Sequence, residues 1–329
     1  MIRHFVYSLL LRASIPAFGV INFMVIVRLF DEDQVGVWVL YMTILALIEV
    51  AKEGFLKNAT IWLLNKEAEE QTDSILSSSL RLNLITTLTI CVAVVAAATV
   101  LVFASDYALL GYLLLLFVFQ LLLNTLFNHF DYYLTSQAEF KQMMWAYLIK
   151  SFSLFALLIC SFVFWKSSVS LEWLVGFQTV GVILSILFLA RKYDRRLTLG
   201  GADKQFSRRI VGFGRYVFAT NVSSVLFRST DHYMLAGLIG TGSVAYYNVA
   251  LRITNLVDLP STAAAEVIFP MSVKSSDPDE LKKIYERTVG YILSLAIPFT
   301  LFILLASEHI VQFIAGPSYS ASVEVFRSP

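Results

Sequence analysis

The sequence is short of charged residues. Asp, Glu, Lys and Arg together make up only 15% of its 329 residues, whereas soluble domains carry about 25%. Hydrophobic residues make up 57%, and the mean hydropathy is +0.71. This composition argues against a soluble globular domain and predicts a polytopic, all-α membrane protein. The net charge of +1 gives no indication of a nucleic-acid partner.

Cysteine and histidine are also scarce, with two and four residues respectively. Cys91 and Cys160 each lie in an apolar run, and neither belongs to a CxxC pair, so we expect neither a disulfide nor a metal site. The run Asn128-His129-Phe130-Asp131 offers one His and one Asp without a second His nearby. A polar helix end at the membrane interface explains it better than a metal site. We therefore expect no metal and no cofactor.

Long apolar runs are what the sequence has in abundance. A membrane-spanning helix needs about 20 mostly apolar residues, and nine runs of this kind lie between polar breaks. They cover residues 9–29, 35–56, 82–104, 108–134, 143–165, 171–190, 215–238, 244–266 and 285–306. The predicted fold is therefore a helical membrane bundle of about nine spans.

The distribution of basic residues between the predicted loops indicates the orientation. One set of alternate loops carries eighteen Lys and Arg residues and the other set carries two, Arg28 and Lys166. Basic loops stay on the cytoplasmic side during insertion. The sequence thus predicts a multi-pass protein of the inner (cytoplasmic) membrane with a cytoplasmic N-terminus and short outer loops.

An internal repeat divides the predicted spans. A shift of 209 residues places Leu29 on Leu238, Trp38 on Tyr247 and Glu49 on Asp258. We predict an N-terminal six-helix lobe over residues 1–190, a basic cytoplasmic linker over 191–214 and a C-terminal lobe over 215–329. A second lobe equal to the first would need about three more spans, so we expect the second lobe to be truncated. Two lobes of equal orientation can rock to give alternating access.

Ionised side chains interrupt several predicted spans. An ionised residue near the bilayer centre costs about 2.5–3.5 kcal/mol on insertion scales and normally faces the bundle interior or a watery cavity. Arg228 lies within roughly 3 Å of the middle of its predicted helix at 1.5 Å per residue. The candidate substrate-binding cations are Lys52, Lys150, Arg228 and Arg252. The candidate counter-ions or coupling residues are Glu49, Asp231 and Asp258.

Two explanations account for these charges. They can form internal ion pairs that hold helices together, such as Lys52 with Glu49 or Arg228 with Asp231. Alternatively, they can line a hydrated central cavity, which explains polar stripes on five different helices at once. Cations at mid-membrane suit an anionic ligand such as a phosphate or a uronic acid, because Arg offers a bidentate fork.

Several runs resemble one known family. They are Arg228-Ser-Thr-Asp231-His-Tyr-Met-Leu235, Gly240-Thr-Gly-Ser-Val-Ala-Tyr-Tyr-Asn-Val-Ala-Leu-Arg252, Val267-Ile-Phe-Pro270, Gly36-Val37-Trp38 and Ile314-Ala-Gly-Pro-Ser-Tyr319. Together they resemble the polysaccharide (O-antigen type) flippases of the multidrug/oligosaccharidyl-lipid/polysaccharide exporter superfamily. The resemblance extends over essentially the whole chain, but its motifs are loose runs of small and aromatic residues.

The resemblance implies two helical lobes around a central cationic cavity. It also implies export of undecaprenyl-diphosphate-linked sugars to the outer leaflet, for O-antigen or other surface polysaccharide. The four cations would then hold the diphosphate or acidic sugars, and the three acids would be counter-ions or sites for H⁺ or Na⁺ coupling. The implied partners are the lipid-linked oligosaccharide and membrane lipids.

Three alternatives remain open at this point. A drug or cation antiporter of the same superfamily would favour acids without competing cations in the cavity. A membrane-embedded sugar polymerase or ligase would need a sizeable outer loop and catalytic groupings that the predicted loops lack, so we do not expect an enzyme. A purely structural scaffold would leave the charges inside the spans without an explanation.

Overall fold

The computed structural model describes residues 18–164, 169–191, 193, 199–257 and 278–327. Every regular element in these ranges is helical, which confirms the predicted all-α fold class. The α-helices are α1 (Phe18–Leu29), α2 (Glu32–Lys66), α3 (Thr72–Ala104), α4 (Ala108–Ser136), α5 (Phe140–Phe164), α6 (Leu171–Ala190), α7 (Lys204–Leu238), α8 (Thr241–Val257), α9 (Pro278–Ala315) and α10 (Ala321–Arg327). Two short 3₁₀ helices, Glu69–Gln71 and Pro317–Tyr319, precede α3 and α10.

Seven described helices are long and apolar enough to cross a membrane. They are α2 to α7 and residues 292–315 of α9. The described part of α1 is apolar but shorter, and the predicted spans at 9–29 and 244–266 each extend beyond the described residues. The chain is therefore a multi-pass membrane protein.

Several helices are longer than their apolar runs, which corrects the predicted boundaries. The run at 35–56 lies inside α2, whose 35 residues span about 52 Å, more than the roughly 30 Å hydrocarbon core. Lys57, Lys66 and Arg81 were predicted in a loop, but they lie on α2 and α3. The apolar run predicts only the part of α2 that lies in the hydrocarbon core. The helix itself begins after the capping residue Asp31 and ends at the turn at Glu67.

The closest helix contact runs along α2 and α7. A Cβ atom on Gly214 would overlap the carbonyl oxygen of Phe55, and one on Gly36 would overlap that of Thr241, which follows the α7 turn as the first residue of α8. Glycine is required at both positions because the two backbones approach each other there. We call this contact the α2–α7 seam. α7 ends at Leu238, where its predicted span ends, and Gly240 has a φ of +125°, which favours glycine. α8 begins at Thr241, three residues before the predicted span at 244–266.

The segment between α6 and α7 is attached to α3. Ser74 Oγ donates to the carbonyl oxygen of Gly201 at 2.9 Å, and the backbone nitrogen of Asp203 donates to Ser78 Oγ at 2.8 Å. The Asp203 side chain then caps α7, so the last part of the predicted linker, from Lys204 to residue 214, is helical.

The chain forms two compact units, residues 1–241 and 242–329. In the second unit, the ring of Tyr319 lies 5.5 Å from that of Tyr246 and is almost fully buried. The lobe boundaries that the repeat suggests at 190 and 215 stay a prediction.

Candidate functional site

A cavity of about 260 Å³ lies inside the first unit, among α1, α2, α4, α5 and α6. Its walls mix apolar and polar side chains. The polar lining residues are Asn22, Glu49, Gln120, Asn124, Lys150, Ser151 and Gln178. In a membrane bundle such a polar lining is costly unless water or a ligand satisfies it. The arrangement therefore marks a candidate binding site.

Three amide oxygens beside the cavity have no hydrogen-bond partner among the described residues. They are Oδ1 of Asn22, Oε1 of Gln120 and Oδ1 of Asn124, and all three side chains are buried. A buried acceptor without a partner costs about 1–3 kcal/mol. The cavity thus contains acceptors that a cation, a hydroxyl group or water can satisfy.

Glu49 and Lys150 place opposite charges on this cavity. The Asn124 amide donates from Nδ2 to Glu49 Oε1 at 2.9 Å, which orients the carboxylate. Lys150 Nζ lies 5.0 Å from the centre of the Phe127 ring, within cation–π range. Two charges that the sequence placed on separate helices therefore line one cavity.

Lys52 occupies a different environment. Its side chain is fully buried, and its Nζ atom has no hydrogen-bond partner in the described part of the chain. The expected pairing with Glu49 is not made, since the described partner of Glu49 is Asn124. Lys52 also lies outside the cavity lining. A buried amine in this condition is destabilising and calls for a functional explanation.

An ion pair between α2 and α4 escaped the sequence analysis. Lys57 Nζ lies 2.7 Å from Asp131 Oδ2, and Asp131 is almost fully buried. Glu53, one turn earlier on α2, lies 3.8 Å from the same amine. The spacing of four between Glu53 and Lys57 indicates a pair within α2, but nothing in the sequence indicates the contact of Lys57 with Asp131 on α4.

The neighbouring His129 is also explained by a protein contact. Its Nε2 atom lies 2.8 Å from the Tyr193 hydroxyl, just after the end of α6, and its side chain is buried. The polar run on α4 therefore contacts two other elements. Asp131 pairs with α2, and His129 contacts the start of the linker after α6.

The remaining predicted site residues lie elsewhere. Arg228 and Asp231 have exposed side chains on α7, a helix that contributes none of the described residues of the cavity wall. In the second unit, Arg252 is half-buried and donates from Nε to Asn248 Oδ1 at 3.0 Å. Asp258 lies outside the described residues.

Gln178 is a cavity residue that sequence reasoning missed. Its Oε1 atom accepts a hydrogen bond from the buried Tyr41 hydroxyl at 3.3 Å. A single amide in the apolar run of α6 was the available signal, and on its own it did not separate a cavity residue from a solvent-facing one.

Comparison with known proteins places these observations in context. Residues 25–324 match the family described as polysaccharide biosynthesis protein. A search of curated proteins finds no match.

Solved structures share the fold. A lipid II flippase, MurJ, in an inward closed conformation has a TM-score of 0.77 and 17% identity over 98% of this chain and 71% of that one. A multidrug resistance MATE family transporter of the MOP superfamily, in its inward-facing conformation, has a TM-score of 0.69. Its sequence identity is 16% over 95% of this chain and 78% of that one. An outward-facing structure of such a transporter has a TM-score of 0.60 and 17% identity over 98% of this chain and 77% of that one. At these identities the likeness shows a common fold.

Proposed function

Because the chain belongs to the family of polysaccharide biosynthesis proteins, we propose that it flips a lipid-linked oligosaccharide across the cytoplasmic membrane by alternating access. The observation that carries the proposal is the family match over residues 25–324 in a multi-pass helical chain. The fold shared with a lipid II flippase supports it. The substrate class is an undecaprenyl-diphosphate-linked sugar destined for surface polysaccharide.

We assign substrate binding to Lys52, Lys150, Arg228 and Arg252. Lys150 supports the assignment most directly, because it lines a polar cavity within a membrane bundle. Lys52 supports it differently, since the stability of the fold does not explain a buried amine that finds no hydrogen-bond partner in the described ranges. Arg228 is exposed and free to reach a ligand on the surface of α7. Phosphate oxygens suit both kinds of side chain, and Arg can bind them bidentately.

We assign cation coupling to Glu49, with Asp231 and Asp258 as counter-ions. The Glu49 carboxylate shares the cavity with the three amide oxygens that lack partners. Oxygen ligands of this kind suit Na⁺, and a carboxylate in a membrane interior equally suits a transferred proton.

The coupling ion can be identified by thermal unfolding of the purified full chain in detergent. Stabilisation by NaCl but not by choline chloride, lost in Glu49→Gln, indicates Na⁺, because a ligand that binds only the folded state raises its stability. A midpoint that depends on pH in the wild type and not in Glu49→Gln indicates a proton. No difference between wild type and Glu49→Gln in either experiment would exclude Glu49 as the coupling site.

A drug or cation antiporter is the second candidate function. The fold shared with multidrug transporters and the carboxylate on the cavity favour it. A binding comparison separates the two, with undecaprenyl diphosphate and a cationic dye added in turn to the purified chain. Stabilisation by the lipid diphosphate alone supports the flippase, and stabilisation by the dye alone supports the antiporter.

Surface polysaccharide display tests the proposed cations in cells. The Arg228→Ala, Arg252→Ala double variant is expected to lose display while remaining in the membrane. Arg191→Gln is the matched control, because it removes an exposed basic residue at the end of α6. Full display by the double variant would refute the assignment of both arginines.

A further inference from the structure

An open groove lies on the surface of α2 and α7, away from the cavity. Its volume is about 440 Å³, and its lining comprises Trp62, Arg209, Gly212, Phe213, Tyr216 and Val217. It lies at the end of both helices that carries Lys66 and Arg209, which we call the basic end. Three aromatic side chains are exposed there: Trp62 by 40%, Phe213 by 41% and Tyr216 by 65%.

The aromatic rings of the groove are bracketed by cations. The Trp62 ring stacks on Phe213 at 5.8 Å with an angle of 10°. Lys66 Nζ lies 4.6 Å from the centre of the Trp62 ring, and the Arg209 guanidinium lies 5.6 Å from it. These distances are within cation–π range, so the ring fixes the position of two positive charges beside an apolar floor.

One carboxylate already contacts this set of cations. Arg209 Nη2 donates to Glu67 Oε1 at 2.6 Å, and both side chains stay partly exposed. That bond uses one of the five N–H groups of a guanidinium. On α7, Arg215 donates from Nη2 to the Tyr216 hydroxyl at 2.7 Å. In the described contacts of the groove, the three cations Lys66, Arg209 and Arg215 therefore meet one carboxylate, that of Glu67.

We propose that this groove binds the headgroup of an anionic phospholipid. Trp and Tyr are enriched where spanning helices meet the headgroup layer, and Lys and Arg near that layer attract anionic lipids. The guanidinium of Arg209 presents its remaining N–H groups to the lipid phosphate, which it can bind bidentately. The stacked rings of Trp62 and Phe213 take the glycerol and the first acyl carbons. A free anion would gain no apolar contact from the stacked rings, whereas a phospholipid would.

Native mass spectrometry of the full chain tests the site. The protein, purified in detergent, is given equal amounts of phosphatidylglycerol and phosphatidylcholine. We expect the wild type to retain more phosphatidylglycerol, and Arg209→Gln to retain about five-fold less of it, as one lost cation near a headgroup predicts. Phosphatidylcholine retention should not change. The control Arg191→Gln, at the end of α6, should retain both lipids as the wild type does.

A second variant changes binding in the opposite direction. Glu67→Gln removes the carboxylate that competes for Arg209, so phosphatidylglycerol retention should rise several-fold. Damage to the fold cannot produce this increase, which separates lipid binding from a merely structural Arg209–Glu67 pair.

Three results would overturn the site. They are equal retention of the two lipids by the wild type, equal losses in Arg209→Gln and Arg191→Gln, and a fall in retention in Glu67→Gln. Displacement of phosphatidylglycerol by millimolar inorganic phosphate would identify a site for free anions instead of a lipid site.

Discussion

The two faces of α2 differ in how well their contacts are satisfied. Along the α2–α7 seam the backbones touch, and glycine at positions 36 and 214 is the only residue that fits. On the cavity face, Glu49 lies among amide oxygens that the described part of the chain leaves without a hydrogen-bond partner. Close packing of this kind fixes one geometry, whereas unsatisfied polar groups gain stability from whatever binds them. We infer that ligand binding acts on the cavity face of α2.

The seam should show the largest effect of a small substitution. Gly214→Ala forces a methyl group against the Phe55 carbonyl, so the helices must separate. We expect a loss of about 3 kcal/mol, at the upper end of overpacking effects. Gly212→Ala, on the same helix with nothing within 4 Å, should be neutral or stabilising by up to about 1 kcal/mol. Equal unfolding midpoints in detergent for the two variants would show that the seam is not closely packed.

The ion pair on the other side of α2 should show the next largest effect. Asp131→Asn leaves the Lys57 amine without its buried partner, and we expect a loss of about 2 kcal/mol, reduced because Lys57 is partly exposed. The double variant Lys57→Met, Asp131→Leu should unfold at a higher temperature than Asp131→Asn, because no unpaired charge remains. A double variant less stable than the single one would indicate that the pair itself stabilises the fold.

A substitution of Lys52 should change polysaccharide display without lowering the stability of the fold. Lys52→Met replaces a buried amine without a hydrogen-bond partner by an apolar side chain of similar length. We expect the stability to stay equal or to rise by about 1 kcal/mol, while surface polysaccharide display falls at least tenfold. Normal display would remove Lys52 from the binding set, and strong destabilisation would show a structural role.

The smallest effect is expected at the far end of the seam from the basic end. Thr241 donates from Oγ1 to Asp33 Oδ1 at 2.8 Å in an exposed position. Thr241→Val removes this bond at nearly constant volume and should cost about 0.5 kcal/mol. Thr241→Ser keeps the hydroxyl group and should behave as the wild type. A loss equal to that of Gly214→Ala would place the main contact at this end.

The sequence was sufficient for the features that depend on local pattern. Apolar runs located seven described helices that can cross a membrane, and the end of α7 at Leu238 was predicted correctly. Features that depend on which helices meet were not predictable. The Lys57–Asp131 pair joins α2 to α4, and the need for glycine at 214 arises only because α2 approaches there. Neither contact leaves a periodic signal in one chain.

Two of the residues that were chosen for their cost in lipid lie on the cavity wall, whereas Lys52 and Arg228 do not, and the functional role of all of them stays a prediction. Glu49 and Lys150 were selected because charges are rare inside spans, and both line the cavity. Gln178 lies on the same cavity, but a single amide in an apolar run is too common to select. The function of the cavity in transport stays a proposal.

A flipping assay in proteoliposomes tests the central claim most directly. The full chain is reconstituted with a fluorescent undecaprenyl-diphosphate sugar, and the fraction of label that crosses the bilayer is measured with time. The wild type should flip this lipid and leave a cationic dye in place. The Glu49→Gln, Lys150→Met double variant should flip it at least ten times more slowly. Equal rates for the two proteins, or transport of the dye alone, would contradict the account.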